Sequence, residues 1–150
     1  MLFIYSIFIS FVFVVEFTHG SHHLDRNHHH VFIWKLLVDN AIENVGEMDL
    51  NTTTTEQQAK LAITTEYNTG PINKLFKGSA TADMTLITNL SNIRNGDHII
   101  IVQYIENFRF VSVYHLRGNA NYFMGYMYLN CTTTAKQAKE AIKVDLTSNI

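Results

Sequence analysis

The chain of 150 residues has a single cysteine, Cys131, so it cannot close a disulfide within itself. That excludes the disulfide framework on which many small extracellular domains depend. Cys131 is then either a tolerated small residue or half of an intermolecular bridge. Charge is also scarce: 11 basic and 13 acidic residues make up 16% of the chain, with a net charge of -2. No basic stripe is present, which argues against nucleic acid as a partner. No G-x-S-x-G, H-E-x-x-H, phosphate loop or recognisable Cys-His signature occurs, so no enzyme is announced. The single proline, Pro71, falls where a helix is expected to stop.

The chain also lacks an apolar run long enough to span a membrane. Leu2 to Val15 is apolar apart from Tyr5, Ser6 and Ser10, and about 14 residues are too few for ~30 Å of hydrocarbon. Met1–Gly20 reads as a secretory signal peptide, with Thr18 and Gly20 small enough for the cleavage positions. An uncleaved anchor is the alternative. Secretion, with no stable membrane insertion after cleavage, is the expectation. Three N-x-[ST] sequons, at Asn51, Asn89 and Asn130, agree with it and are candidate glycosylation sites.

What the chain does have is a passage written twice. Asn40–Ile63 reads NAIENVGEMDLNTTTTEQQAKLAI, and Asn119–Ile142 reads NANYFMGYMYLNCTTTAKQAKEAI. At a constant offset of 79, 14 of 24 positions are identical, which marks an internal repeat. Ala59, Ala62, Ile63 and Tyr67 keep an i, i+3, i+4, i+8 stripe, and their mates are Ala138, Ala141, Ile142 and Leu146. Each stretch predicts an amphipathic helix. Thr53 and Glu56 have capping-box spacing. Upstream, Met48/Met127 and Leu50/Leu129 keep a period-2 apolar face, whereas Glu47/Tyr126 and Asp49/Tyr128 vary and are expected to point outward.

Strands are expected at Val31–Val38, Thr81–Leu90, His98–Tyr104 and Phe108–Arg117, with turns at Asp39-Asn40, Asn95-Gly96 and Gly118-Asn119. The organisation is then a signal peptide at 1–20, a His-rich flexible arm at 21–30 and one domain at 31–150 containing the repeats 40–63 and 119–142. The fold class is α+β: one twisted antiparallel sheet of about five or six strands, with one or two helices packed on one face.

The arm, SHHLDRNHHH, holds the most concentrated local chemistry. A mature chain starting Ser21-His22-His23 offers an amine, two backbone nitrogens and an imidazole, a square-planar set suited to Cu(II) or Ni(II). His28, His29 and His30 add imidazole donors, which also suit Zn(II). His98 and His115 fall on predicted strands, where structural roles are expected. Tyr122, Tyr126 and Tyr128 alternate in a way that fits packing, or else a binding face.

Gly46, the TEQQAKLAITTEYN stretch at Thr55–Asn68 and the Asn92-Ile93-Arg94-Asn95-Gly96 segment together resemble the cystatin superfamily. That family sets a glycine before a helix and wraps an antiparallel sheet across it. The resemblance covers Gly46–Asn130. Asn92–Gly96 occupies the place of the family's Q-x-V-x-G hairpin with only Gly96 matching, and Arg117-Gly118-Asn119 stands at the second hairpin without Pro-Trp. The resemblance implies a cystatin-like fold. It also implies a partner surface at Gly46, Asn92, Ile93, Arg94, Asn95 and Gly96, directed at a papain-like cysteine protease. The preferred expectation is a secreted, non-enzymatic protein that binds a protein partner through hairpin loops, with no required cofactor. The alternatives are a metal-binding protein using the arm and a carrier of a small apolar ligand.

Overall fold

The run Ile99-Ile100-Ile101-Val102 has no polar face, as a strand buried on both sides requires. In the computed structural model, which describes residues 26–147, all four residues are fully buried. Met1–Gly20 and the donors Ser21, His22 and His23 lie outside the described residues. The elements are β1 (His28–Leu36), β2 (Ile42–Asn51), α1 (Glu56–Tyr67), β3 (Ile72–Lys77), β4 (Thr85–Leu86), β5 (His98–Gln103), β6 (Phe108–Arg117), β7 (Ala120–Asn130) and α2 (Ala135–Thr147). The class is α+β, as expected, but the strands form two sheets. One has the order β2-β1-β5-β3-β4, and the other is the β6-β7 hairpin.

The larger sheet is mixed. β5 lies antiparallel to β3 but parallel to β1, with Ile33 opposite Ile99. A central strand that interlocks two faces can do this because α1 and β3 intervene between β1 and β5 and supply the crossover length. β3 escapes a reading of the sequence because INKLFK is short and does not alternate cleanly. Conversely, of Thr81–Leu90 only Thr85–Leu86 is strand, and a 3₁₀ turn follows at Leu90–Asn92. β1 begins at His28, three residues inside the expected arm, because His28, His29 and His30 pair with Asn51, Leu50 and Asp49.

The molecule is layered as α1, large sheet, β6-β7 hairpin, α2. Ala59 and Ile63 of α1 meet Val31, Ile33, Leu50, Leu75, Ile99 and Ile101 on one face of the large sheet. On its other face Leu36, Phe76, Ile100 and Val102 meet Tyr128, Phe108, Phe110 and Tyr126 of the hairpin. The hairpin's far side, with Val113 and Met127, packs against Leu146, Ala141 and Ile142 of α2. The two repeat helices therefore cover different sheets, not one.

Each repeat is a ββα unit with the same internal devices. A bulge interrupts β1/β2 at Ile33/Trp34 and β6/β7 at Val113/Tyr114. Asn51 and Asn130 each accept from the backbone and hydroxyl of the threonine two residues on, at 2.9 and 2.7 Å in both copies. The capping boxes are Thr55–Gln58 and Thr134–Gln137, so Thr53 serves the asparagine turn instead of the helix cap. The registers also extend the repeat backwards: His28 faces Asn51 as Phe108 faces Asn130. β1 and β6 are thus equivalent at an offset of 80, one more than the offset of 79 downstream. The turn of the second hairpin is one residue shorter, and that single gap hides the match of Val31 with Val111 and of Leu36 with Leu116.

Candidate functional site

Gly46 and Asn92–Gly96 do not form one exposed edge. Gly46 sits within β2, opposite Ile33, and a Cβ there would lie 2.5 Å from Cε1 of Tyr67. Its close approach is to its own helix. β1 separates it from the Asn92–Gly96 segment, whose contacts run inward. The Gly96 N–H donates to the His30 carbonyl at 2.8 Å, and the His30 N–H donates to Asn95 Oδ1 at 2.8 Å. Ile93 is a core residue, 1% exposed. The Arg94 guanidinium donates to the Ser91 carbonyl at 2.7 Å and to that of Ile93 at 3.1 Å. Asn92, Arg94 and Asn95 are exposed, but the segment is a turn into β5 and not the tip of a hairpin.

The histidine donors are likewise divided. His30 lies between two carboxylates, with Nδ1 3.1 Å from Asp49 and Nε2 3.2 Å from Glu47. Hydrogen bonding to Asp49 first, then to Glu47, raises its pKa above the ordinary value of 6.5. Both ring nitrogens are thereby engaged. Successive residues of a strand point to opposite faces, so His29 points away from the face that His28 and His30 share. Among the described residues no group of three or more His, Cys, Asp and Glu is arranged to hold a metal. His98 stacks on Trp34, with ring centroids 5.6 Å apart, and His115 lies on β6 in the other sheet. Cys131 is free and exposed. Asn89 and Asn130 are exposed and Asn51 is half-buried.

Comparing equivalent positions of the two repeats reveals a site that motif reading misses. His30, Glu47 and Asp49 form the ionisable cluster of the first copy. Their counterparts are Phe110, Tyr126 and Tyr128, a stacked aromatic cluster in which Phe110 and Tyr126 lie 5.3 Å apart. The alternation of β7 predicts that Tyr126 and Tyr128 face outward. Instead Tyr128 is 3% exposed, and its hydroxyl donates to the Gln103 carbonyl at 2.7 Å while accepting from the Gln103 N–H at 3.1 Å. The variable face of the second copy is the face that docks on the large sheet.

The opposite divergence occurs at the far end of the hairpin. Leu36 is 0% exposed, whereas its counterpart Leu116 is 66% exposed. Tyr114, Tyr122 and Phe123 are exposed beside it. An open groove of about 400 Å³ runs between β6 and α2, lined by Val113, His115, Leu116, Met124 and Ile142 among others. Exposed apolar residues gathered at one end of a molecule make this end a candidate interaction surface. Beneath α1, by contrast, Ile87, Leu90 and Ile93 join the strand residues in one buried apolar cluster. Neither a scan against protein-family models nor a search of curated proteins returned a match.

Proposed function

We propose that the chain is a secreted, non-enzymatic binding protein that engages a protein partner through the outer end of the β6-β7 hairpin. The observation that carries this reading is Leu116, two-thirds exposed where the equivalent Leu36 is sealed in the core. Tyr114, Tyr122 and Phe123 add aromatic area of the kind that dominates binding energy at interfaces. The apolar run Leu2–Val15 and the sequons at Asn51, Asn89 and Asn130 support an extracellular setting.

On this proposal the partner surface is the second hairpin, in place of the expected Gly46 with Asn92–Gly96. A partner isolated from the extracellular fluid should lose binding to Leu116→Asp or Tyr122→Asp and retain it to Arg94→Val. Loss in Arg94→Val alone, with inhibition of papain-like proteases by the unaltered chain, would return the site to the Asn92–Gly96 turn and overturn the hairpin reading.

A further inference from the structure

In the first repeat the free side of the ββα unit is closed by another strand. β5 runs parallel to β1, pairing Phe32–Lys35 with His98–Ile101, and the Phe32 N–H donates to the Asp97 carbonyl at 3.0 Å. Ile99 and Ile101 complete the layer beneath α1, where Val31, Ile33, Ala59 and Ile63 are at most 1% exposed. In the second repeat the same positions are Val111, Val113, Ala138 and Ile142. Val113 is buried, but Val111, Ala138 and Ile142 are only half-buried. Among the described residues β6 pairs with β7 alone.

The two edges of this hairpin are treated differently. The outer edge of β7 is capped. The Tyr126 N–H donates to the Thr81 carbonyl at 3.3 Å, and the Tyr128 N–H donates to Asn40 Oδ1 at 2.6 Å. The side-chain amide of Asn40 also donates to the Tyr128 carbonyl at 3.5 Å. Among the described residues none caps β6 in this way. Ser112–His115 is the counterpart of Phe32–Lys35, so Ser112 presents outward the backbone donor that Phe32 gives to Asp97. The groove begins at this segment, with Val113, Tyr114, His115 and Leu116 along one wall and Ile142, flanked by Lys139 and Lys143, along the other.

We propose that the β6 edge is a strand-acceptor site for an extended aliphatic segment of a partner protein, added parallel to β6 as β5 is added to β1. The inference rests on the partner-binding reading of the hairpin and specifies how the partner is held. Main-chain bonds to Ser112 and Tyr114 supply alignment, as in other cases of strand addition. Alternate aliphatic side chains enter the groove against Val113, Met124 and Ile142. The repeat itself defines the occupant: β-branched residues at every second position, with no charge within the paired stretch.

The test uses the full chain and a peptide copying residues 97–104, with two lysines added at each end for solubility. Titration by fluorescence anisotropy, followed by amide hydrogen exchange, should show saturable binding and new protection at Ser112 and Tyr114. Tyr114→Pro removes an outward N–H without a β6-β7 bond, and Leu116→Lys replaces the exposed apolar side chain of the β6 wall with a third lysine beside Lys139 and Lys143. Each should weaken binding at least tenfold, while Tyr114→Phe should not. Absence of binding, or equal binding to all variants, would overturn the proposal. So would a concentration-dependent dimer of the unaltered chain that Leu116→Lys dissociates, since the occupant would then be a second copy. If a partner's binding depends on Leu116 and Tyr122 but leaves Ser112 and Tyr114 unprotected, strand addition fails while the hairpin remains the binding surface.

Discussion

Gly46 and Tyr67 touch because the first repeat folds its helix end back over the bulge in β2. The Tyr67 hydroxyl donates to the Glu47 carbonyl at 2.6 Å, which fixes the ring above Gly46. A methyl group at Gly46 would sit inside the ring's contact distance, so Gly46→Ala should lower stability by about 1–3 kcal/mol, the range for overpacking a closed site. A thermal melt of the variant checks this, and Gly46→Ala combined with Tyr67→Leu should recover part of the loss. Leucine is the residue the second repeat places over its own glycine, Gly125, with Leu146 Cδ2 3.2 Å from a Cβ built there. His30 offers a second residue-scale prediction. Its pKa is raised in the fold by Asp49 and then Glu47, so the stabilisation from this contact is fully present below the unfolded value of about 6.5. It fades as pH rises through the higher folded value. An NMR titration should place the His30 midpoint above that of an exposed histidine, and Asp49→Asn should lower it. A midpoint unmoved by Asp49→Asn would mean that the Asp49 carboxylate does not hold the imidazolium.

The helices show how far a stripe read from sequence carries. In α1, Ala59 and Ile63 are buried and Tyr67 packs against them, while Leu61 is 65% exposed, as the pattern requires. Ala62 is exposed, contrary to expectation. The buried line runs i, i+4, i+8, and Ala62 falls on the flank beside Leu61. Lys60, which lies off the apolar stripe, donates to the Asn73 carbonyl at 2.7 Å, with Glu56 also at 2.7 Å. The long aliphatic stem of lysine permits this. Ala59→Asp should therefore cost several kcal/mol, the penalty of an unpaired buried charge, whereas Ala62→Asp should leave the melt nearly unchanged. Equal losses in the two variants would show that the face is wrong. The second helix keeps its expected face, with Lys139 and Glu140 exposed and Leu146 buried. Strand β6 is legible to the residue in the sequence, because Phe108–Arg117 is bounded by a turn on each side. The short β3 is not. Alternation along β7 shows which residues share a face, but it carries no information about what covers that face, so Tyr126 and Tyr128 read as solvent-facing until the large sheet is in place.

At the scale of the molecule, the two copies of the repeat are completed differently among the described residues. Three strands without a counterpart in the second copy, β3, β4 and β5, complete the first ββα unit into a two-sided sheet. Among the described residues the second unit spends one face on that sheet and the other on α2, and its β6 edge pairs with no third strand. This division is only partly visible in the sequence, where the repeat is plain but the partner of each copy is not. It implies unequal stability, because amides with few buried apolar neighbours open at lower free energy. Native-state hydrogen exchange should show β1, β3 and β5 as the slowest elements, with β6 and α2 opening first. Tyr128 fastens the halves together with Phe108, Phe110 and Tyr126, and it alone of the four bonds Gln103 through its hydroxyl. Tyr128→Phe deletes the hydroxyl that serves both the N–H and the carbonyl of Gln103, and should cost about 1–3 kcal/mol for the unsatisfied buried groups left behind. If the hairpin is held mainly by this residue, exchange in β6, β7 and α2 should accelerate far more than in β5. Uniform acceleration across both halves would instead mean that the repeats unfold as a single unit, and that the open side of β6 is no softer than the closed side of β1.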